Sequence, residues 1–204
     1  RSGVVVKTIC ADYFMEAPLH SMEDSVADQS YAMLSRLLQV GQQLGITDIV
    51  LPCVDQSALD DAASIARLEY QLNRISDPLE KIGINLSLET NLGPDVFVQL
   101  LENCESSRIT INYDTGNSAS LGYDPKLELS SYGNRVSDVH IKDRERGGGS
   151  VQLGSGATDF DTVFSELKGL SYCGPIIMQA YRDDKGIEIF KEQLQWIRPY
   201  IQQL

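Results

Sequence analysis

Four stretches rich in Val, Ile and Leu end, or nearly end, in a residue that can ligate a metal or handle a proton. Glu89 lies in LSLET, Asp114 in INYDTGN, His140 in VHIKD and Gln179 in IIMQAYRDD. Carboxylates and imidazoles are costly to bury unpaired, so packing alone does not put them at the ends of apolar strands. One imidazole nitrogen with several oxygen donors suits a single hard or borderline divalent cation: Mn²⁺, Mg²⁺, Co²⁺ or Zn²⁺. Each residue also has a plainer use. Glu89 could pair with a basic neighbour, Asp114 could accept the amides of its own turn, and a lone His140 is more often a satisfied core histidine. Four such residues on consecutive elements favour a metal or polar catalytic site.

Basic residues gather near the same end: Lys142, Arg144, Arg146 and Arg182. Lys142 is two residues past His140 and so shares its face of the strand. These side chains could bind a phosphate or carboxylate of a substrate; the alternative is charge balance for Asp143, Glu145 and Asp183. Gly154 and Gly156 in LGSG are read as turn residues, because the Lys-Ser/Thr that completes a phosphate loop is missing. The four cysteines, Cys10, Cys53, Cys104 and Cys173, form no CxxC pair. They read as reduced structural thiols of a cytoplasmic protein.

The elements that must carry these residues alternate regularly. Strands are expected at Val4 to Cys10, Ile46 to Val54, Ile84 to Thr90, Arg108 to Asp114, Val136 to Asp143 and Pro175 to Tyr181. A helix is expected from Met22 to Leu44, with Ser21 as N-cap and Gly45 closing it. Ile65, Leu68, Leu72, Ile75, Leu79 and Ile82 trace a second helical face, with a kink or restart expected before Pro78. Pro94 fits the first turn of a third helix after Gly93. Thr158 with Asp161 marks the start of a fourth. The series Ile187, Phe190, Leu194, Ile197, Ile201 and Leu204 marks the last. Residues 144–157, with three consecutive glycines, read as a mobile loop over a site.

Six strand–helix units in order predict a parallel α/β sheet in a single domain, residues 1–204. Either it is an open doubly wound sheet or it is the last three-quarters of a (β/α)8 barrel. A net charge of −12 disfavours nucleic acid as a partner. No apolar run reaches the roughly 18 residues of a membrane helix, so no membrane partner is expected. The chain begins at Arg1 with no charged-then-apolar leader, consistent with removal upstream or a start within a longer chain.

LSLET, YDTGN, VHIKDR and LGSGATDF, in this spacing, resemble the xylose-isomerase-like TIM barrels, the sugar phosphate isomerase/epimerase family. The resemblance runs from about Thr8 to the end, with ICADYFMEAPLHS similar to the third barrel strand and its loop. It implies a (β/α)8 TIM barrel of which this chain covers about six βα units, the third to eighth strands. The first two units would then make up roughly 50–70 further N-terminal residues, or another chain, as in a homo-oligomer, would cover that edge. The resemblance also implies one divalent metal held by Glu89, Asp114, His140 and, where the family has a second Glu, Gln179.

In epimerases of this family two Glu carboxylates work on opposite faces of the substrate. Here Glu89 is the obvious base, and Gln179 cannot accept a proton. Aldose–ketose isomerisation or β-elimination is therefore ranked above two-base inversion, unless Lys142, Asp143 or Asp183 takes the second role. Asn117 stands where the family often has a His. With Lys142, Arg144 and Arg182 it is expected to bind a small sugar, sugar phosphate or polyol. The implied function is a metal-dependent sugar or sugar-phosphate isomerase/epimerase acting through an enediolate. The alternatives are a lyase or dehydratase on a cyclic polyol or dehydroshikimate-like acid, and a catalytically lapsed barrel that only binds. The related three-metal apurinic endonucleases need several His, whereas this chain has two.

Overall fold

The computed structural model describes residues 3–204; Arg1 and Ser2 lie outside them. Six parallel strands form one sheet in the order β1-β2-β3-β4-β5-β8, and β6 with β7 forms a separate two-stranded ribbon. The chain divides into two compact units, residues 1–112 and 113–204, with the boundary inside the fourth strand.

The first unit contains β1 (Thr8–Cys10), α1 (Tyr13–Glu16), α2 (Asp24–Leu44), β2 (Asp48–Cys53), α3 (Ala62–Ile82), β3 (Asn85–Thr90), α4 (Pro94–Glu102) and the start of β4 (Ile109–Asp114). The register pairs Thr8 with Asp48, Asp48 with Asn85 and Leu86 with Ile109. All six residues of β2 are buried, as a parallel strand covered on both faces requires. β1 is shorter than the expected Val4 to Cys10. Lys7 still offers its carbonyl to the Thr47 and Asp48 amides, but Val4, Val5 and Val6 are outside the strand and exposed.

Two helices in this unit depart from expectation. α2 starts at Asp24 after Glu23, and Ser21 accepts the Glu23 N–H instead of capping the first turn. Its other end is as expected, with Gly45 in the left-handed conformation at φ 72°. α3 opens on a reciprocal Asp61–Ser64 capping box and then runs unbroken through Pro78. Proline removes the N–H that would bond the carbonyl four residues back, that of Arg74. The Tyr31 hydroxyl from α2 donates to that carbonyl instead, at 3.2 Å. The Arg74 guanidinium lies 4.2 Å from the centroid of the same tyrosine ring. A partner from another helix thus removes the reason for a break. α4 begins with Pro94 after Gly93, as its sequence predicts.

The second unit contains the end of β4, then α5 (Thr115–Leu121), α6 (Pro125–Tyr132), β5 (Val136–Ile141), β6 (Asp143–Arg144), β7 (Ser150–Val151), α7 (Phe160–Gly169), β8 (Ile176–Met178) and α8 (Ile187–Ile201). β5 stops at Ile141, and Asp143 belongs to the antiparallel β6–β7 ribbon. β8 pairs with β5 from Val139↔Ile176 to Ile141↔Met178 and ends before Gln179. The N-cap of α7 is Asp159, whose side chain accepts from the Thr162 N–H, rather than Thr158.

The buried line of α8 also differs from the expected one. It is Ile189, Gln193 and Ile197, while Ile187 and Phe190 are exposed. Aromatic packing accounts for the rotation: Trp196 meets Phe160 of α7 at 5.1 Å, and Tyr200 meets Phe164 at 5.2 Å. No helix among the described residues is long and apolar enough to cross a membrane.

Candidate metal centre

Along β3 the residues Asn85, Ser87 and Glu89 alternate with Leu86 and Leu88, so one face of this strand is polar throughout its length. Asp48 accepts from Asn85 Nδ2 at 2.9 Å and from Ser87 Oγ at 3.3 Å, and Ser87 lies 3.0 Å from the Thr110 hydroxyl. At the end of this row Glu89 is buried, and Asn112 Nδ2 donates to its Oε2 at 2.9 Å. That bond fixes the orientation of the carboxylate. The neighbouring Cys53 thiol is fully buried, and desolvation, with the negative charge of Glu89 second, pushes its pKa up to about 12. Burial and this upward shift suit Cys53 to packing rather than to nucleophilic catalysis.

In the second unit Asp114 is the N-cap of α5. Its Oδ1 accepts from the amides of Gly116 at 3.0 Å and Asn117 at 2.8 Å. Its Oδ2 takes the Lys142 ammonium at 3.1 Å. The plainer use foreseen for Asp114, bonding to its own turn, therefore coexists with its position at a site. His140 is on β5 and almost fully buried. One ligating atom each from Glu89, Asp114 and His140 lies within 4.8 Å of the others. Two carboxylates and an imidazole at this spacing, all buried, fit one divalent ion in chemistry and in charge. Gln179 follows directly on β8, half-buried, with its N–H bonded to Ile141 O at 2.9 Å.

The residues expected to contact a substrate differ in their settings. Asn117 is buried, and its Oδ1 accepts Arg144 Nη1 at 2.9 Å; Arg144 Nε donates to Gly148 O at 3.0 Å. Lys142 is occupied with Asp114. Arg182 is exposed on the segment between β8 and α8.

Three polar residues that the sequence reading gave no such role hold this region together. The sequence suggests charge balance or a second base for Asp143, but the residue is fully buried. Its Oδ2 accepts the amides of Gly154 and Gly156 at 2.9 and 2.8 Å, and its Oδ1 accepts that of Thr158 at 3.1 Å. A carboxylate committed to three backbone donors pins residues 154–158, covering the last part of the stretch 144–157 that the sequence suggests is mobile. Gly156 is required there, because a Cβ would stand 2.3 Å from Asp143 Oδ1. Gln193 accepts the Leu153 N–H at 3.2 Å and donates to Tyr181 O at 2.8 Å, tying this loop to the segment after β8. On α6, Glu128 is buried among hydroxyls from Ser118, Tyr113 and Tyr132, and desolvation raises its pKa. A polar residue at a buried helix position, such as Gln193 or Glu128, was the available signal.

The comparisons with known proteins agree with this architecture. The L-ribulose-5-phosphate 3-epimerase of Salmonella paratyphi A is 26% identical over 197 residues, covering 90% of this chain and 67% of its own. The crystal structure of the 3-keto-D-glucoside 4-epimerase of E. coli superposes with a TM-score of 0.79 at 19% identity, over 97% of this chain and 80% of the other. A structure of the IOLI protein with a binding zinc atom superposes with a TM-score of 0.73 at 15% identity, over 96% of this chain and 73% of the other. Such superpositions establish the (β/α)8 type of fold, of which six parallel strands are present here. The family described as Xylose isomerase-like TIM barrel matches residues 1–200, and the chain belongs to that family.

Proposed function

We propose that this protein is a divalent-metal-dependent isomerase or epimerase of a small sugar or sugar phosphate, working by proton transfer through an enediolate. The observation that carries the reading is the buried Glu89–Asp114–His140 group. These three residues would hold the ion, with the Gln179 carbonyl oxygen as a neutral fourth ligand. When bound there, a divalent ion would polarise a substrate carbonyl. Glu89, oriented by Asn112, takes the proton from the carbon beside the carbonyl and delivers it to the former carbonyl carbon on the same face of the enediolate, which is isomerisation; epimerisation would need a second proton donor on the opposite face. Asn117 and Arg144, already bonded to one another, offer a paired amide and guanidinium to substrate hydroxyls, and Arg182 offers a further positive charge for a phosphate or carboxylate. The substrate class draws support from relatives named as sugar epimerases. The reading treats residues 1–204 as a single barrel domain. Four free thiols are consistent with a reducing, cytoplasmic setting.

The test is solvent deuterium exchange into a panel of ketoses, ketose phosphates and cyclic polyols, read by mass. Exchange into at least one sugar is expected with Mn²⁺, Co²⁺ or Zn²⁺ present, and its loss after EDTA. Exchange that persists without any divalent ion would remove the metal from the reading. No exchange into any member of the panel would favour a barrel that binds without turning over.

A further inference from the structure

The two oxygens of Asp114 are used differently. Oδ1 is committed to the amides of Gly116 and Asn117, and Oδ2 carries the Lys142 ammonium. The carboxylate side chain is 1% exposed and that of the lysine 20%. The lysine is built into this position. A Cβ on Gly116 would stand 2.8 and 2.9 Å from Lys142 Cγ and Cβ and 3.1 Å from its carbonyl carbon, so only glycine leaves room for the stem. Thr115 Oγ1 donates to Lys142 O at 2.6 Å and accepts the Lys142 N–H at 3.0 Å. Three consecutive residues, Asp114, Thr115 and Gly116, thus fix the charge, the backbone and the clearance of one lysine.

We propose that Lys142 is a tethered counter-cation of the candidate metal centre: it neutralises Asp114 and lowers the affinity of the centre for a divalent ion. This rests on the metal reading above. Glu89 and Asp114 bring two negative charges, and Lys142 returns one positive charge at the Asp114 carboxylate. A divalent ion therefore enters a site with about half the negative charge its ligands would otherwise supply. Repulsion between like charges a few ångströms apart, with little water between them, changes affinity by roughly tenfold or more. The same lysine also spares Asp114 the cost of a buried, uncompensated charge.

Titration calorimetry with Mn²⁺ and thermal melts in EDTA and in excess Mn²⁺ test this on the whole chain. Lys142→Met should bind Mn²⁺ roughly tenfold tighter than the wild type. It should melt lower in EDTA, with the deficit closing in Mn²⁺. Lys142→Arg, which keeps the charge, should stay near the wild type. A purely structural bridge would instead give the same melting deficit in both solutions and no gain in affinity, and that result overturns the proposal. If Lys142→Met does not fold, Gly116→Ala displaces the lysine stem from the other side and should also tighten Mn²⁺; unchanged affinity there counts against the proposal. Failure of both wild type and Lys142→Met to take up Mn²⁺, Co²⁺ or Zn²⁺ would overturn the metal reading and this inference together. Binding by the wild type that Lys142→Met does not improve overturns only the role of the lysine.

Discussion

Glu89→Gln should lower kcat for solvent exchange by about 10³-fold, within the range for loss of a general base, while leaving KM within about threefold. The variant keeps the shape of the side chain, and its amide oxygen can still accept the Asn112 donor that orients Glu89. Removing a buried negative charge does not by itself unfold a barrel, so the melting temperature should stay near that of the wild type. Glu89 is assigned two tasks, and metal content measured at saturating Mn²⁺ separates them. A fully loaded but inactive variant has lost its base, whereas an empty one has lost a ligand. Undiminished exchange in Glu89→Gln would place the base elsewhere.

Asp114→Ala should destabilise the chain by roughly 2–4 kcal/mol, the sum of a lost N-cap and a partly buried ion pair left with one partner. Its bonds to the Gly116 and Asn117 amides and to Lys142 make Asp114 a structural residue as well as a candidate ligand. Asp114→Asn keeps an acceptor for the two amides and should recover about half of the loss, while still weakening metal uptake. Urea unfolding of the three proteins checks the order. Equal stability of Asp114→Ala and the wild type would mean that neither the cap nor the bridge contributes.

The order of elements was legible because each β-rich run and each amphipathic stretch buries its own apolar residues, a local property of the chain. The ligand candidates were legible for a related reason: polar residues that end apolar strands have few structural uses. What escaped the sequence depended on partners distant along the chain. Helix α3 survives Pro78 because Tyr31 lies 43 positions before the orphaned Arg74 carbonyl, and no pattern around Pro78 announces that. The face of α8 turned because Trp196 and Tyr200 find aromatic partners on α7. Asp143 looked like a solvated charge between Lys142 and Arg144, yet its donors are backbone amides, which carry no sequence signature at all.

The pinning of residues 154–158 on Asp143 bears on how turnover would be timed. A segment whose three backbone N–H groups donate hydrogen bonds to one buried carboxylate has already lost most of its conformational freedom, so substrate binding need not supply the cost of ordering it. Enzymes that must fold a flap over their substrate are slowed when the solvent is thickened, because opening and closing displace water. Here that dependence should be weak. In sucrose solutions of rising viscosity kcat should stay constant within error, leaving proton transfer to set the pace. A kcat that falls in proportion to viscosity would point to a moving segment other than this one.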